Sequence, residues 1–161
     1  MTIDRRSLIG ASLGLGAAVS AAHASERKLS PTAPNASDFA PALVPDDGRD
    51  QTEALQAAVD SAAEKDIPLV LPPGKFLVSD LRLRRGSRVI GMARTTTLVF
   101  SGGSAFITGD KADGLVLDGL TFDGAYKAFD TGRGDGLLTF SNSKTLHLHD
   151  LEIQNSSGNG V

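Results

Sequence analysis

A gapless internal repeat in the second half of the chain restricts its possible folds more than any other feature. From Ala105 onward the sequence matches itself at a constant offset of 31. The matched positions are Phe106, Ile107 and Thr108 with Leu137, Leu138 and Thr139, Leu115 and Leu117 with Leu146 and Leu148, and Leu120 and Phe122 with Leu151 and Ile153. A fixed period of this kind predicts stacked units rather than a closed sandwich.

Each unit contains three short strand patterns separated by turns. Apolar residues alternate with polar ones in these patterns, which is the period of a strand with one buried face. Three strands in every unit predict a triangular parallel β-helix. Gly160-Val161 also matches Gly136-Leu137 at an offset of 24, so the units should differ in length. We expect the longer unit to carry its extra residues in the segment 124–136.

The composition narrows the classes of function. The chain has 16 Lys and Arg against 19 Asp and Glu, a net charge of −3. A mildly acidic chain without a basic cluster predicts no nucleic-acid partner. The absence of cysteine excludes disulfides and thiol chemistry.

Residues 1–24 have the pattern of an export signal. Arg5 and Arg6 precede a weakly apolar run rich in Gly and Ala, and Ala22 and Ala24 form the small-x-small pattern of a cleavage site. Paired arginines before a weakly apolar run resemble a twin-arginine (Tat) signal. We therefore expect the Tat machinery to export the protein to the periplasm or beyond, with an ordinary secretory signal or an uncleaved anchor as the alternatives. The run is too short for a stable membrane span.

Residues 25–45 are rich in Pro, Ala and Ser without a sustained period and are predicted to be a linker. The segment 46–161 is predicted to form the fold, beginning with an amphipathic helix. Asp50 can cap this helix, and Glu53 three residues later would complete a capping box. One apolar stripe at helical spacing follows, made of Leu55, Ala58, Val59 and Ala62.

The order of elements after this helix carries a resemblance. DDGRDQTEALQAAVDSAA followed by VLPPGKFLVSDLRLRRGSRVIG resembles the N-terminal signature of the pectate lyase superfamily. The resemblance covers residues 4–24 and about 45–161, and it is closest to the Tat-exported repetitive β-helix proteins. It implies an all-β, single-stranded right-handed parallel β-helix of the pectin lyase-like type, with the helix covering the open end of the stack. An amphipathic helix before a strand of an α/β fold is the alternative.

The sequence has a capping pattern at one end only and stops within a unit. We therefore expect an N-terminal fragment of a longer protein, with the active coils outside this chain. The resemblance implies binding or degradation of an acidic or neutral polysaccharide, by a lyase or a glycoside hydrolase if the protein is an enzyme. A non-catalytic envelope or surface β-solenoid that binds glycan or protein, and a purely structural solenoid, are the alternatives.

The catalytic motifs of the related enzymes are incomplete here. Pectate lyases use a calcium site of carboxylates with an arginine base, and polygalacturonases use paired carboxylates. Asp135-Gly136-Leu137 resembles the start of a cleft-lining strand in polygalacturonases, which makes Asp135 a candidate acid; a turn residue is the alternative. One carboxylate does not suffice, so we expect this chain alone to be inactive. No cofactor is evident, but the resemblance leaves open a Ca²⁺ site among Asp110, Asp113, Asp118, Asp123 and Asp130; ordinary acidic turn residues are the alternative.

A histidine pair offers a second metal hypothesis. His147 and His149 lie two residues apart on one predicted strand, so both point outward if the leucines beside them point inward. The offset of 31 places His149 beside Asp118 of the preceding unit. A His-x-His pair binds zinc only with a third ligand, for which Asp118 and Glu152 are the neighbours. A solvated surface with a weak His–Asp pair is the alternative.

Overall fold

The computed structural model describes residues 43–130 and 136–158, which all belong to the same compact unit. These residues form one α-helix followed by eleven short strands. The elements are α1 (Thr52–Glu64), β1 (Leu69–Val70), β2 (Gly74–Val78), β3 (Leu81–Leu83), β4 (Arg88–Ile90), β5 (Thr96–Phe100), β6 (Ile107–Asp110), β7 (Val116–Asp118), β8 (Thr121–Asp123), β9 (Leu138–Ser141), β10 (His147–His149) and β11 (Glu152–Gln154). Helix α1 is neither long nor apolar enough to cross a membrane.

The predicted export signal lies outside the described residues. Arg5, Arg6, Ala22 and Ala24 therefore stay predictions, as does nearly all of the linker 25–45.

The strands form three parallel sheets. Sheet A has the order β1-β4-β7-β10, sheet B has the order β2-β5-β8-β11, and sheet C has the order β3-β6-β9. The chain visits the sheets in the order A, B, C, so each of the first three repeats adds one strand to every sheet, and the last adds β10 and β11 to sheets A and B. The prediction of stacked units with parallel strands is thereby confirmed.

The register of the later strands confirms the offset found in the sequence. The paired residues are Leu117 with Leu148 in sheet A, Phe122 with Ile153 in sheet B and Ile107 with Leu138 in sheet C. Earlier repeats are shorter, because Leu69 already pairs with Val89. The strands can keep their register because the turns between them absorb the difference in length.

The connections from sheet B to sheet C absorb most of this difference. They comprise residues 79–80, then 101–106, then 124–137, while the other connections between strands are uniformly short. The extra residues of the longest repeat therefore lie where the sequence predicted them.

Alternate side chains of every sheet point into a common core. Successive strands contribute Phe76, Leu98 and Phe122 to one buried column of sheet B. Phe106 packs edge-on against Phe122 with ring centroids 6.2 Å apart. Burial of apolar surface between stacked repeats is the main stabilising contribution in such an arrangement.

Helix α1 lies across one end of the stack. It contacts β1, β2 and β3, which are the edge strands of the three sheets at that end. The predicted apolar face is confirmed, because its four members are buried: Leu55, Ala58, Val59 and Ala62.

Two side chains of the helix and the backbone of its N-cap residue also supply hydrogen-bond partners along the exposed edges of these strands. The Gln56 amide nitrogen donates to the Arg82 carbonyl at 2.9 Å, and its oxygen accepts from the Arg82 N–H at 2.8 Å. The Thr52 hydroxyl accepts from the Ser79 N–H at 2.8 Å, and the Gln51 N–H donates to the Leu77 carbonyl at 2.8 Å. Unpaired edge groups of β2 and β3 thereby gain partners.

The start of the helix differs from the predicted capping box. Helix α1 begins at Thr52 with Gln51 as its N-cap, and Gln51 makes no side-chain cap hydrogen bond. Asp50 lies one residue earlier and accepts the Thr52 N–H at 2.9 Å. A capping box needs a side-chain acceptor on the third helical residue. With Gln51 as the N-cap that residue is Ala54, whose side chain cannot accept a hydrogen bond, and Glu53 lies one position too early.

Candidate ligand-binding face

Sheet C carries a column of polar side chains on its outer face. Arg82 lies between two buried leucines of β3, and it is in register with Thr108 of β6. Thr108 is in turn in register with Thr139 of β9. These three residues form a polar ladder, with one rung for each strand and about 4.8 Å between rungs.

Arg82 provides the positive charge of this ladder. Its backbone pairs with Gln56, but its guanidinium has no hydrogen bond or ion pair within residues 43–130 and 136–158. Nearby arginines are engaged in ion pairs: Arg84 with Asp60 and Glu64, Arg85 with Asp113, and Arg88 with Asp66. Arg82 is therefore available to a ligand.

The two threonines supply hydroxyl groups to the same face. The Thr108 hydroxyl donates to the Leu81 carbonyl at 3.4 Å, and the Thr139 hydroxyl donates to the Gly136 carbonyl at 3.3 Å. Both bonds are long, and each hydroxyl oxygen retains capacity to accept a hydrogen bond. The ladder thus offers both donors and acceptors.

A carboxylate lies at the end of strand β6 beside the ladder. Asp110 accepts hydrogen bonds from the Asn142 amide at 2.8 Å and from the Ser141 hydroxyl at 3.0 Å. These two bonds, with a smaller contribution from the charge of Lys111, hold the pKa of Asp110 below its ordinary value. Asp110 is therefore ionised at neutral pH and can accept hydrogen bonds but cannot donate a proton.

Two cavities meet at Arg82. A groove of about 370 Å³ runs over the ladder and reaches Asp110 and Ser141. A second groove of about 690 Å³ lies between α1 and β3, and it shares Arg82 and Leu83 with the first. Together they form an open channel that extends from the helix across sheet C, with polar and apolar groups in its lining.

Two other concave surfaces have less regular linings. One, of about 570 Å³, is lined by residues including Arg94 and Asp150, which lie in turns, and Glu152, at the start of β11. The other, of about 520 Å³, contains Asp47 and Arg49, which pair with each other at 2.7 Å. Neither has a set of side chains that repeats in register from strand to strand.

The predicted histidine pair lies on the outer face of sheet A. His147 and His149 are exposed on β10, with nearly parallel rings whose centroids are 6.3 Å apart. His149 is in register with Asp118, as the offset of 31 predicted. In the described part of the chain, no three His, Asp or Glu side chains converge as a metal site requires. The zinc site involving Glu152 or Asp118 stays a prediction, and this arrangement does not support it.

The other sequence candidates have different outcomes. Asp135 lies outside the described residues, so its role as an acid stays a prediction. Asp113 accepts the Lys144 N–H at 2.7 Å, and Asp123 accepts the Asn155 amide at 2.9 Å. These carboxylates, like Asp110, are engaged by residues of the next repeat, which ties successive repeats together.

The polar ladder is not apparent in the sequence because its rungs are unevenly spaced along the chain. Thr108 and Thr139 are part of the offset-31 match, but the interval from Arg82 to Thr108 is shorter and falls outside it. The available signal was the alternation of Leu81, Arg82 and Leu83, which marks Arg82 as an outward residue.

Comparison of the chain with family models, curated proteins and solved structures finds no match.

Proposed function

We propose that this chain forms a right-handed parallel β-helix that binds polysaccharide along the outer face of sheet C. Right-handedness is supported by the rule that about 98% of crossovers between parallel strands of one sheet are right-handed. The observation that carries the binding proposal is the polar ladder of Arg82, Thr108 and Thr139, which lines an open groove.

The ladder matches the chemistry of a polymer better than that of a small molecule. Its rungs repeat from strand to strand, so they can contact successive units of an extended chain. Hydroxyl groups pair with sugar hydroxyls, and a guanidinium donates several hydrogen bonds to hydroxyl or carboxylate oxygens. Both acidic and neutral polysaccharides fit this description.

The described groove supports binding rather than turnover. Glycoside hydrolysis requires two carboxyl groups placed on opposite sides of one bond, and one of them must donate a proton. Asp110 is the carboxylate that lines the groove over the ladder, and its lowered pKa keeps it ionised. A lyase- or polygalacturonase-like activity would depend on Asp135 or on residues outside this chain.

Export by the Tat route is part of the same proposal. It depends on the paired Arg5 and Arg6 and on the cleavage pattern at Ala22 and Ala24. An exported protein reaches the periplasm or the exterior, where extended polysaccharides are available as ligands.

A structural solenoid is the second candidate. It is favoured by the carboxylates at Asp110, Asp113 and Asp123, which accept hydrogen bonds from the following repeat. Acidic residues used in this way stabilise the stack without any ligand.

Isothermal titration calorimetry of the full-length chain with polygalacturonate and with a neutral β-glucan tests the proposal. We expect one of them to bind, and Arg82→Gln to weaken binding about tenfold, because a hydrogen bond to a charged group contributes about 1.5–3 kcal/mol. Arg94→Gln is the matched control, since it removes the same charge from the turn between sheets A and B. Absence of binding to both polymers, or equal losses in the two variants, would contradict the proposal.

A further inference from the structure

The only tyrosine of the chain is strongly exposed. Tyr126 is 76% exposed, and the chain contains no tryptophan. The phenylalanines of the described residues are instead buried or packed against the core, namely Phe76, Phe100, Phe106, Phe122, Phe129 and Phe140. Tyr126 is therefore the aromatic ring that this surface offers to a ligand.

Tyr126 lies in a turn whose backbone conformation is unfavourable for its residues. The Lys127 N–H donates to the Gly124 carbonyl at 2.9 Å, which closes a tight turn. Both central residues have positive φ, 51° at Ala125 and 55° at Tyr126. Turns that require positive φ at both central positions favour Asn and Gly, because a side chain with a Cβ is strained there. A strained conformation persists only where its surroundings enforce it.

Hydrogen bonds on both central residues enforce this turn. The Asp123 carboxylate accepts the Ala125 N–H at 2.8 Å, and the Asn155 carbonyl accepts the Tyr126 N–H at 2.8 Å. The Asn155 amide also donates to Asp123 at 2.9 Å. The backbone of the turn is thereby fixed to the next repeat, and the tyrosine side chain projects from it into solvent.

Neighbouring repeats also fix the end of this turn. The Lys127 ammonium donates to the Ser101 carbonyl at 2.9 Å, and the Ser157 hydroxyl donates to the Lys127 carbonyl at 2.6 Å. Three successive repeats therefore contribute to the position of Tyr126.

The surroundings of Tyr126 distinguish between kinds of ligand. The groups beside it in the turn are a carboxylate, amides, hydroxyls and an ammonium. Residues 123–130 expose no other large apolar side chain; the remaining ones exposed in the described residues are Val44, Met92 and Leu148. A protein partner normally requires a larger apolar area. A single ring with polar neighbours fits a sugar, whose apolar face stacks on the ring while its hydroxyls pair with the neighbours.

We infer that Tyr126 is a stacking platform for a pyranose ring of the bound polysaccharide. This inference rests on the proposed function and adds to it a second contact, in the turn that follows β8 of sheet B. The turn presents an aromatic ring at a place where an Asn-Gly turn, the favoured choice for this conformation, would present none.

Tyrosine fluorescence tests the inference directly. Because the chain has one tyrosine and no tryptophan, its intrinsic fluorescence reports on Tyr126 alone. We expect this fluorescence to change when the full-length chain is titrated with whichever polymer binds in calorimetry, polygalacturonate or β-glucan. The change should saturate and give the same Kd as calorimetry. Tyr126→Ala should weaken binding about tenfold, and Tyr126→Phe should stay within about twofold of the original chain, because the ring and not the hydroxyl makes the contact.

A glycine variant separates a ligand contact from a structural role. Tyr126→Gly relieves the strain of positive φ, so we expect an unchanged or higher melting temperature together with the weakened binding of Tyr126→Ala. Met92→Ala, at another exposed apolar residue, is the control and should bind normally.

The outcomes distinguish the inference from the proposed function. If Tyr126→Ala binds normally and the fluorescence does not change at saturation while Arg82→Gln weakens binding, the stacking role is wrong and polysaccharide binding stands. If neither polymer binds the original chain in calorimetry, the proposed function is wrong and the stacking role falls with it.

Discussion

The first and the last described repeats are built from similar apolar patterns, but they differ in how well those patterns are buried. In sheet A, Leu117 is 1% exposed, whereas Leu148, its partner on the next strand, is 40% exposed. At the opposite end of that sheet Leu69 is fully buried, since helix α1 lies across the edge strands. The comparison shows that a repeat gains its burial from the element stacked on it, as expected where stability is a sum over neighbours.

The largest expected effect comes from introducing a charge at the end of the stack that helix α1 covers. Leu55→Asp places a carboxylate at a fully buried position of α1, and we expect it to lower the free energy of unfolding by more than about 3 kcal/mol or to prevent folding. Leu148→Asp is the matched variant at the half-exposed end and should cost less than about 1 kcal/mol. Chemical denaturation measures both, and similar losses would mean that the two ends are equally packed.

Hydrogen exchange should resolve the same difference along the chain. Strands β10 and β11 have a neighbouring strand on one side in the described residues, while β7 and β8 have neighbours on both sides. We expect amides of residues 136–155 to exchange at least about tenfold faster than those of residues 105–124, because less buried surface opposes local opening. Uniform protection across both segments would contradict the comparison.

The smallest effect concerns the response of the helix-covered end to acid. Burial favours a raised pKa for Asp50, but its hydrogen bonds from Ser101 and Thr52 outweigh burial and hold the pKa below its ordinary value. A lowered pKa contributes stability above about pH 4, and this contribution is lost as the pH falls through that value and below.

We therefore expect the melting temperature of the original chain to fall more steeply below about pH 4 than that of Asp50→Asn. Ser101→Ala, which removes the first of these hydrogen bonds, should also reduce the acid sensitivity. If the melting temperatures of the three proteins fell by the same amount as the pH is lowered, the hydrogen bonds of Asp50 would not contribute to holding the helix on the stack.

The fold was predictable where repeats are equal in length and where one face of an element is apolar. The match between Phe122 and Ile153 and the buried face of α1 at Leu55 and Val59 needed only periodicity. The first repeats escaped detection because the interval from Leu69 to its partner Val89 is shorter than the interval from Val89 to Leu117. Such variable spacing leaves no gapless match.

The candidate site was less predictable for a related reason. Arg82 and Thr139 become neighbours of Thr108 only through the register of sheet C. Tyr126 carries no sequence signal for its strained turn, since Ala-Tyr is an uncommon choice at two positions with positive φ. Its conformation follows from a hydrogen bond with Asn155, which belongs to the next repeat.

The amide of Gln56 has a consequence for the growth of the stack. It presents to β3 one donor and one acceptor in the positions that another strand would use. A parallel stack of repeats has no inherent length, and any open edge can template the addition of a further strand, including one from another molecule. Because the Gln56 side-chain amide occupies these positions, a further strand can pair with β3 only if helix α1 is displaced. Sheet C therefore cannot be extended at this edge, and the stack cannot polymerise through it.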